Sequence, residues 1–200
     1  MGLKKLIDKR ASYSVPHIIK TLFLVEKGLQ GRFKLMKELD LGEATVKTLL
    51  KNLVKGKLLK STKRGVLLTA LGKKTFDKIK GKMIFPIKID AEKYTDSGLY
   101  KTKFDSAILV KNAAKKIRLG IEQRDVAVKV GAIGATTLIQ KNGKIIFPSK
   151  SLDVGEFGNY LKKYFEIKDG DVVVICSATS YKIAEFAALE VGLYLYDEFE

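Results

Sequence analysis

Apolar positions recur at helical spacing through most of the first 80 residues. Ile18, Ile19, Leu22 and Phe23 share one face of a helix opened by Ser14-Val-Pro16 and stopped at Gly28. Serine there caps the first turn, and proline forfeits no hydrogen bond. A second helix over Phe33–Leu39 turns Leu35, Met36 and Leu39 inward, and Asp40-Leu41-Gly42 reads as a tight turn. The third helix, Glu43 to Lys55, carries Val46, Leu49, Leu50 and Leu53 at i, i+3, i+4 and i+7, the spacing of a buried stripe. A step of about 100° per residue gathers Ala44, Lys47, Thr48, Lys51 and Lys55 on the opposite side. After Gly56 the period becomes extended. Leu58–Thr62 and Val66–Thr69 flank Lys63-Arg64-Gly65 as a small hairpin with two cations at its tip. Thr69 then caps a fourth helix, Ala70 to Lys80, bearing Leu71, Phe76 and Ile79.

Beyond Gly81 the pattern changes again. Met83–Ile89 is strand-like, and residues 90–103 hold few apolar side chains and read as a loop. Ile108, Leu109, Ala113, Lys116 and Ile117 predict a helix over Phe104–Leu119 with Gly120 as its stop. Val126, Val128 and Val130 alternate as in a strand, but Glu122-Gln-Arg-Asp125 suits a helix start, and 121–131 is read as helix. Thr136–Gln140 and Lys144–Phe147 bracket Asn142-Gly143, a strong hairpin signal. A helix over Val154–Phe165, a buried strand over Asp171–Cys176, an apolar helix over Tyr181–Val191 and a strand over Leu193–Tyr196 complete the series. Such interleaving predicts a mixed sheet covered by helices.

Charge divides the chain more sharply than pattern does. Residues 1–82 carry 21 Lys/Arg against 6 Asp/Glu, whereas residues 83–200 carry 17 against 16. A generally lysine-rich surface predicts an even spread. The concentration is what a polyanion-binding module joined to a neutral one predicts. No run of about 18 uncharged apolar residues is present, so no membrane span is expected, and the first residues do not read as a secretory signal, so the cytoplasm is the expected location. One cysteine, Cys176, and one histidine, His17, remove internal disulfides, multi-cysteine zinc sites and two-histidine metal motifs. No cofactor, metal site or catalytic set is expected. Cys176 reads as a core residue and His17 as a structural or solvent-facing one.

Three helices, a two-stranded ribbon and a further helix, in that order over residues 13–80, resemble a winged helix-turn-helix. Leu68-Thr-Ala-Leu-Gly72 resembles the Leu-Thr-x-x-Gly signature that follows the wing in many prokaryotic regulators. The whole chain also resembles an uncharacterised archaeal family that pairs such a domain with an α/β domain of unknown function. The resemblance implies double-stranded DNA as partner, with the third helix in the major groove. On that reading Ala44, Thr45, Lys47, Thr48 and Lys51 face the duplex, Lys47 and Thr48 at base edges and Thr45 and Lys51 at phosphates. Lys60, Lys63 and Arg64 on the wing reach an adjacent groove or backbone. Lys4, Lys5, Lys9 and Arg10 form either an arm or extra helix that adds phosphate contacts, or a frayed terminus. The third helix offers no Arg or Gln and only a flanking Asn52 for bidentate base contacts, so selectivity per half-site is expected to be modest.

In the second half, Gly131-Ala-Ile-Gly134-Ala-Thr136-Thr137 is a small-residue loop entering a strand, and Ser177-Ala-Thr179-Ser180 follows a buried strand. Both positions suit a ligand, and both also have plain structural explanations: close packing for the glycines and a helix cap for Ser180. Arg124 is either a partner for a ligand carboxylate or phosphate or part of a salt-bridged helix entry. The candidate effector residues are therefore Arg124, Gly134, Thr136, Ser177, Thr179 and Ser180. The expected class is α+β: an N-terminal winged helix-turn-helix, residues 1–82, followed by a mixed α/β sandwich-like domain, residues 83–200. The expected function is a DNA-binding transcriptional regulator whose second domain senses a small-molecule effector, joins two copies as a homodimer, or does both. The alternative is an enzyme acting on nucleic acid or nucleotides that docks through the winged helix.

Overall fold

A computed structural model describes residues 2–8, 11–28, 31–92, 94, 102–149 and 152–196. The fold is α+β, and the chain divides into two compact units between Lys80 and Gly81.

The first unit contains helices α1 (Val15–Glu26), α2 (Arg32–Leu39) and α3 (Glu43–Lys55), a hairpin of β1 (Leu59–Thr62) and β2 (Gly65–Leu68), and α4 (Ala70–Lys82), whose last turn crosses the division. Ser14 caps α1 in a capping box whose reciprocal acceptor is His17 Nδ1, 3.1 Å from the Ser14 amide that donates to it. The interior consists of the apolar stripes read from the sequence: Ile18, Ile19 and Leu22 of α1, Leu35 of α2, and Val46, Leu49 and Leu53 of α3 are each at most 0% exposed. Met36 and Leu50 lie at its margin, half-buried. Asp40 takes the left-handed conformation, φ 58°, in the turn between α2 and α3.

The start of α4 explains the Leu-Thr-x-x-Gly run. Thr69 Oγ1 accepts from the Gly72 amide at 3.0 Å and donates to the Lys57 carbonyl, while the Thr69 amide donates to the Leu58 carbonyl at 3.0 Å. A Cβ on Gly72 would lie 2.0 Å from the Leu58 carbonyl oxygen. Only glycine lets the helix meet the entry to the hairpin this closely.

The N-terminal segment is docked. Leu3–Leu6 forms one 3-10 turn with Leu3 and Leu6 buried and Lys4 and Lys5 exposed. Tyr13 Oη donates to the Leu6 carbonyl at 2.8 Å and accepts from Asn52 Nδ2 at 2.8 Å. Lys9 and Arg10 lie outside the described residues.

The second unit is a five-stranded sheet in the order β3 (Met83–Ile89), β4 (Phe104–Val110), β7 (Val172–Ala178), β5 (Gly134–Lys141), β6 (Lys144–Ile146). Every pairing is antiparallel, so the sheet is not mixed. The helix expected over Phe104–Leu119 is instead β4, a turn and a short 3-10 segment at Ala114–Lys116. β4 is buried on both faces, which erases the alternation that marks a strand and leaves an apolar run that helical spacing fits equally well. Pro86 falls in edge strand β3, where the register with β4 slips between Ile84 and Ile87. Helices α5 (Ile121–Lys129) and α7 (Tyr181–Leu195) pack on one face. The shorter α6 (Glu156–Lys162) covers the other, burying Phe157 and Leu161 against Ala107, Leu109, Leu138, Val173 and Ile175.

Two further boundaries differ from expectation. The strand predicted at Leu193–Tyr196 is the end of α7. Gly192 is no helix breaker there, because a Cβ would lie 2.8 Å from Ile108 Cδ1 and 3.2 Å from Met83 Sδ. The helix predicted over Val154–Phe165 is shorter, because the Val154 amide donates to the Ile145 carbonyl at the sheet edge. Helix α5 and the Asn142-Gly143 hairpin form as read, the two turn residues at φ 51° and 76° as a type I′ turn requires. Of the loop predicted at 90–103, residues 93 and 95–101 lie outside the described set. No helix among the described residues is long and apolar enough to cross a membrane.

Candidate functional site

Helix α3 turns its apolar stripe into the first unit and leaves Ala44, Lys47, Thr48, Lys51 and Lys55 exposed, with Thr45 half-buried beside them. The Thr48 hydroxyl donates to the Ala44 carbonyl one turn back at 3.0 Å, which fixes its orientation while its lone pairs face outward. Lys60 is exposed on β1, and Lys63 and Arg64 form the two-residue turn between Thr62 and Gly65. Thr62 Oγ1 closes that turn by donating to the Gly65 carbonyl at 3.0 Å and accepting from the Arg64 amide at 3.2 Å. Gly65 has φ 129°, a conformation side chains rarely adopt. Among the described residues, no carboxylate pairs with Lys47, Lys51, Lys60, Lys63 or Arg64.

Three residues that the sequence pattern did not single out join the hairpin tip to the helices. Arg32, Phe33 and Lys34 at the start of α2 line an open cleft of about 430 Å³ together with Arg64. Phe33 is 70% exposed, and the Arg32 guanidinium lies 5.6 Å from the centre of its ring. Arg32 Nη2 also reaches Glu43 Oε1, in the first turn of α3, at 3.0 Å. The hairpin tip and the start of α2 therefore meet around one cleft, and Arg32 ties the start of α2 to the first turn of α3. The run Arg-Phe-Lys at a helix start was the available signal, but only the hairpin's position gives it meaning. Asn52 is withdrawn from this surface: its Nδ2 donates to Asp8 Oδ2 at 2.9 Å as well as to Tyr13.

In the second unit, the six effector candidates separate. Arg124 and Thr136 line a cleft of about 190 Å³ where α5 begins beside β5. Gly134 is buried in β5 opposite Ser177 in β7. Ser177 is wholly buried and hydrogen-bonds Asp105, a carboxyl whose pKa is raised by burial despite that bond and others from Thr102. Thr179 is exposed after β7, and Ser180 Oγ caps α7 by accepting from the Ile183 amide at 3.4 Å. None of these four lines the cleft. Cys176 is fully buried, and burial, reinforced by the nearby charge of Asp105, pushes its thiol up to about 12. His17 is held down to about 4, by burial first and by Lys20 second.

Comparison with known proteins follows this division. Residues 14–74 match the family described as PH0730-like, N-terminal domain, and residues 101–195 match a domain of unknown function, DUF4443. No curated protein matches the chain. Among solved structures, the hypothetical protein PH0730 from Pyrococcus horikoshii OT3 is similar at 30% identity with a TM-score of 0.77, over 94% of this chain and 95% of that one. Likeness at that identity over nearly the whole of both chains, through both units, shows that the chain belongs to the PH0730-like family.

Proposed function

We propose that the protein is a DNA-binding transcriptional regulator of the cytoplasm. In this reading its first unit is a winged helix that grips double-stranded DNA, and its second unit senses a small molecule, joins two copies, or does both. The observation that carries the proposal is the grouping of cations. The exposed face of α3 bears Lys47 and Lys51, and the hairpin tip brings Arg64 to the cleft at the start of α2, whose Arg32 pairs with Glu43 in the first turn of α3. A helix flanked by a cationic ribbon matches a groove lined by phosphates: the helix enters, and the ribbon holds the adjacent backbone.

Chemistry supports duplex DNA read with modest sequence selectivity. Lysines act as point charges toward phosphates, and α3 presents no arginine or glutamine. Asn52, the residue on α3 best suited to a bidentate adenine contact, is already bonded to Asp8 and Tyr13. Pairing of two copies supplies the missing selectivity by addressing two half-sites about one helical turn apart.

The test separates helix from hairpin. Lys47→Ala with Lys51→Ala is expected to weaken binding to any duplex by about tenfold or more. Lys63→Ala with Arg64→Ala is expected to weaken it and to reduce the salt slope by about two. Fluorescence anisotropy with labelled duplexes at several salt concentrations reads both effects. Wild-type binding by both double variants would remove this surface from the account.

A further inference from the structure

The cleft beside α5 has the chemistry of an anion site. Helix α5 starts at Gly120, whose φ of 85° turns the chain into the helix, and no side chain caps its first amides. The first three amides of any helix have no partner within it and carry the positive end of the dipole. The apolar residues Leu119, Ile121 and Phe147 wall the cleft beside that helix end, and Arg124, Thr136 and Thr137 add polar groups.

Thr137 supplies a second, independent observation. It is 5% exposed, it lines the cleft, and its Oγ1 has no hydrogen-bond partner. A Cβ placed on Gly120 would lie 3.2 Å from that Oγ1 and 3.0 Å from Thr137 Cβ. Gly120 thus lets the chain at the start of the helix pass close to the Thr137 hydroxyl, where any side chain would press on it. Leaving a buried hydroxyl unpartnered is unfavourable unless something accepts from it. Arg124 holds Asp125 through Nε and Nη2, at 3.1 and 2.8 Å, which leaves Nη1 outside that pair.

We infer that this cleft binds the oxyanion head of a small molecule, a phosphoryl or carboxylate group, between the α5 N-terminus, the Thr137 hydroxyl and the Arg124 guanidinium. An oxyanion there accepts from the amides of Ile121 and Glu122, from Thr137 and from Arg124, and the apolar wall takes the organic remainder. A volume of about 190 Å³ restricts that remainder to a few atoms within the cleft. The inference deepens the sensing role proposed for the second unit, but it does not depend on DNA binding.

Residue-resolved amide shifts of the full chain, titrated at ionic strength held constant with chloride, test it. One arm uses inorganic phosphate and the other acetate. The amides of Ile121, Glu122 and Gln123 are expected to shift saturably in at least one arm, phosphate pointing to a phosphoryl head and acetate to a carboxylate. Arg124→Ala is expected to raise the apparent dissociation constant tenfold or more. Thr137→Val is expected to weaken binding while raising the melting temperature of the anion-free chain, since the hydroxyl has no partner to lose. Absence of saturable shifts at α5 in both arms overturns the inference, as do variants that bind as the wild type does. Because the readout lies on α5, anions gathered by the basic first unit do not imitate it, and failure here leaves duplex affinity untouched.

Discussion

His17 does two things at one position. It closes the capping box of α1 by accepting from the Ser14 amide, and it does so only as a neutral imidazole. Burial holds its pKa at about 4, against about 6.5 in the unfolded chain. The unfolded chain therefore binds the proton first as pH falls. Stability from this residue is complete above about pH 6.5, declines below it, and is lost as pH passes through 4. Urea unfolding at pH 7 and pH 4 is expected to show a loss of about 1–3 kcal/mol that His17→Gln, which keeps an acceptor and cannot titrate, lacks. The sequence disclosed the Ser14 cap but not this role, because capping boxes are recognised by Glu or Gln at the third helical position. Asn52 shows the same limit. Its place on the flank of α3 was readable, while its partners Asp8 and Tyr13 lie 44 and 39 residues away.

Elements were legible where a single face is buried. α3 is bounded by Glu43 and Lys55 as its stripe of Val46, Leu49 and Leu53 demands, and the β5–β6 hairpin follows from Asn142-Gly143. They were illegible where both faces are buried. β4 is buried along both faces, Asp105 and Ser106 included, so no alternation marks it as a strand, and Gly192 lies inside α7 where it packs closely against β4. Gly72 plays the same part in the first unit, with a backbone carbonyl rather than a flexible side chain as neighbour. Gly72→Ala is therefore expected to destabilise the first unit by about 2–3 kcal/mol, the upper range for overpacking. Chemical denaturation checks the loss, and amide shifts at Leu58 and Thr69 check that the junction between hairpin and α4 is what moves. The cleft shared by Arg32, Phe33, Lys34 and Arg64 belongs to this scale too: it exists only once the hairpin is folded beside α2.

At the scale of the molecule, charge is the property from which function is argued. An excess of 15 positive charges sits within residues 1–82 of a chain whose total is +16. That imbalance was readable without a structure. The structure adds that Lys47, Lys51, Lys60, Lys63 and Arg64 are exposed and without carboxylate partners among the described residues, whereas Lys20 is 9% exposed. A cation without a local counter-charge is available to neutralise phosphate and release its condensed counterions.

Titration of the full chain against a duplex of generic sequence over 50–200 mM salt tests the account most directly. With Lys47 at base edges, phosphate contacts by the four cations Lys51, Lys60, Lys63 and Arg64 give a slope of log K against log salt of about −3 to −4. Measurable affinity at the low end and a slope of that size are expected. No affinity at the lowest salt, or affinity that does not change with salt, would contradict the account.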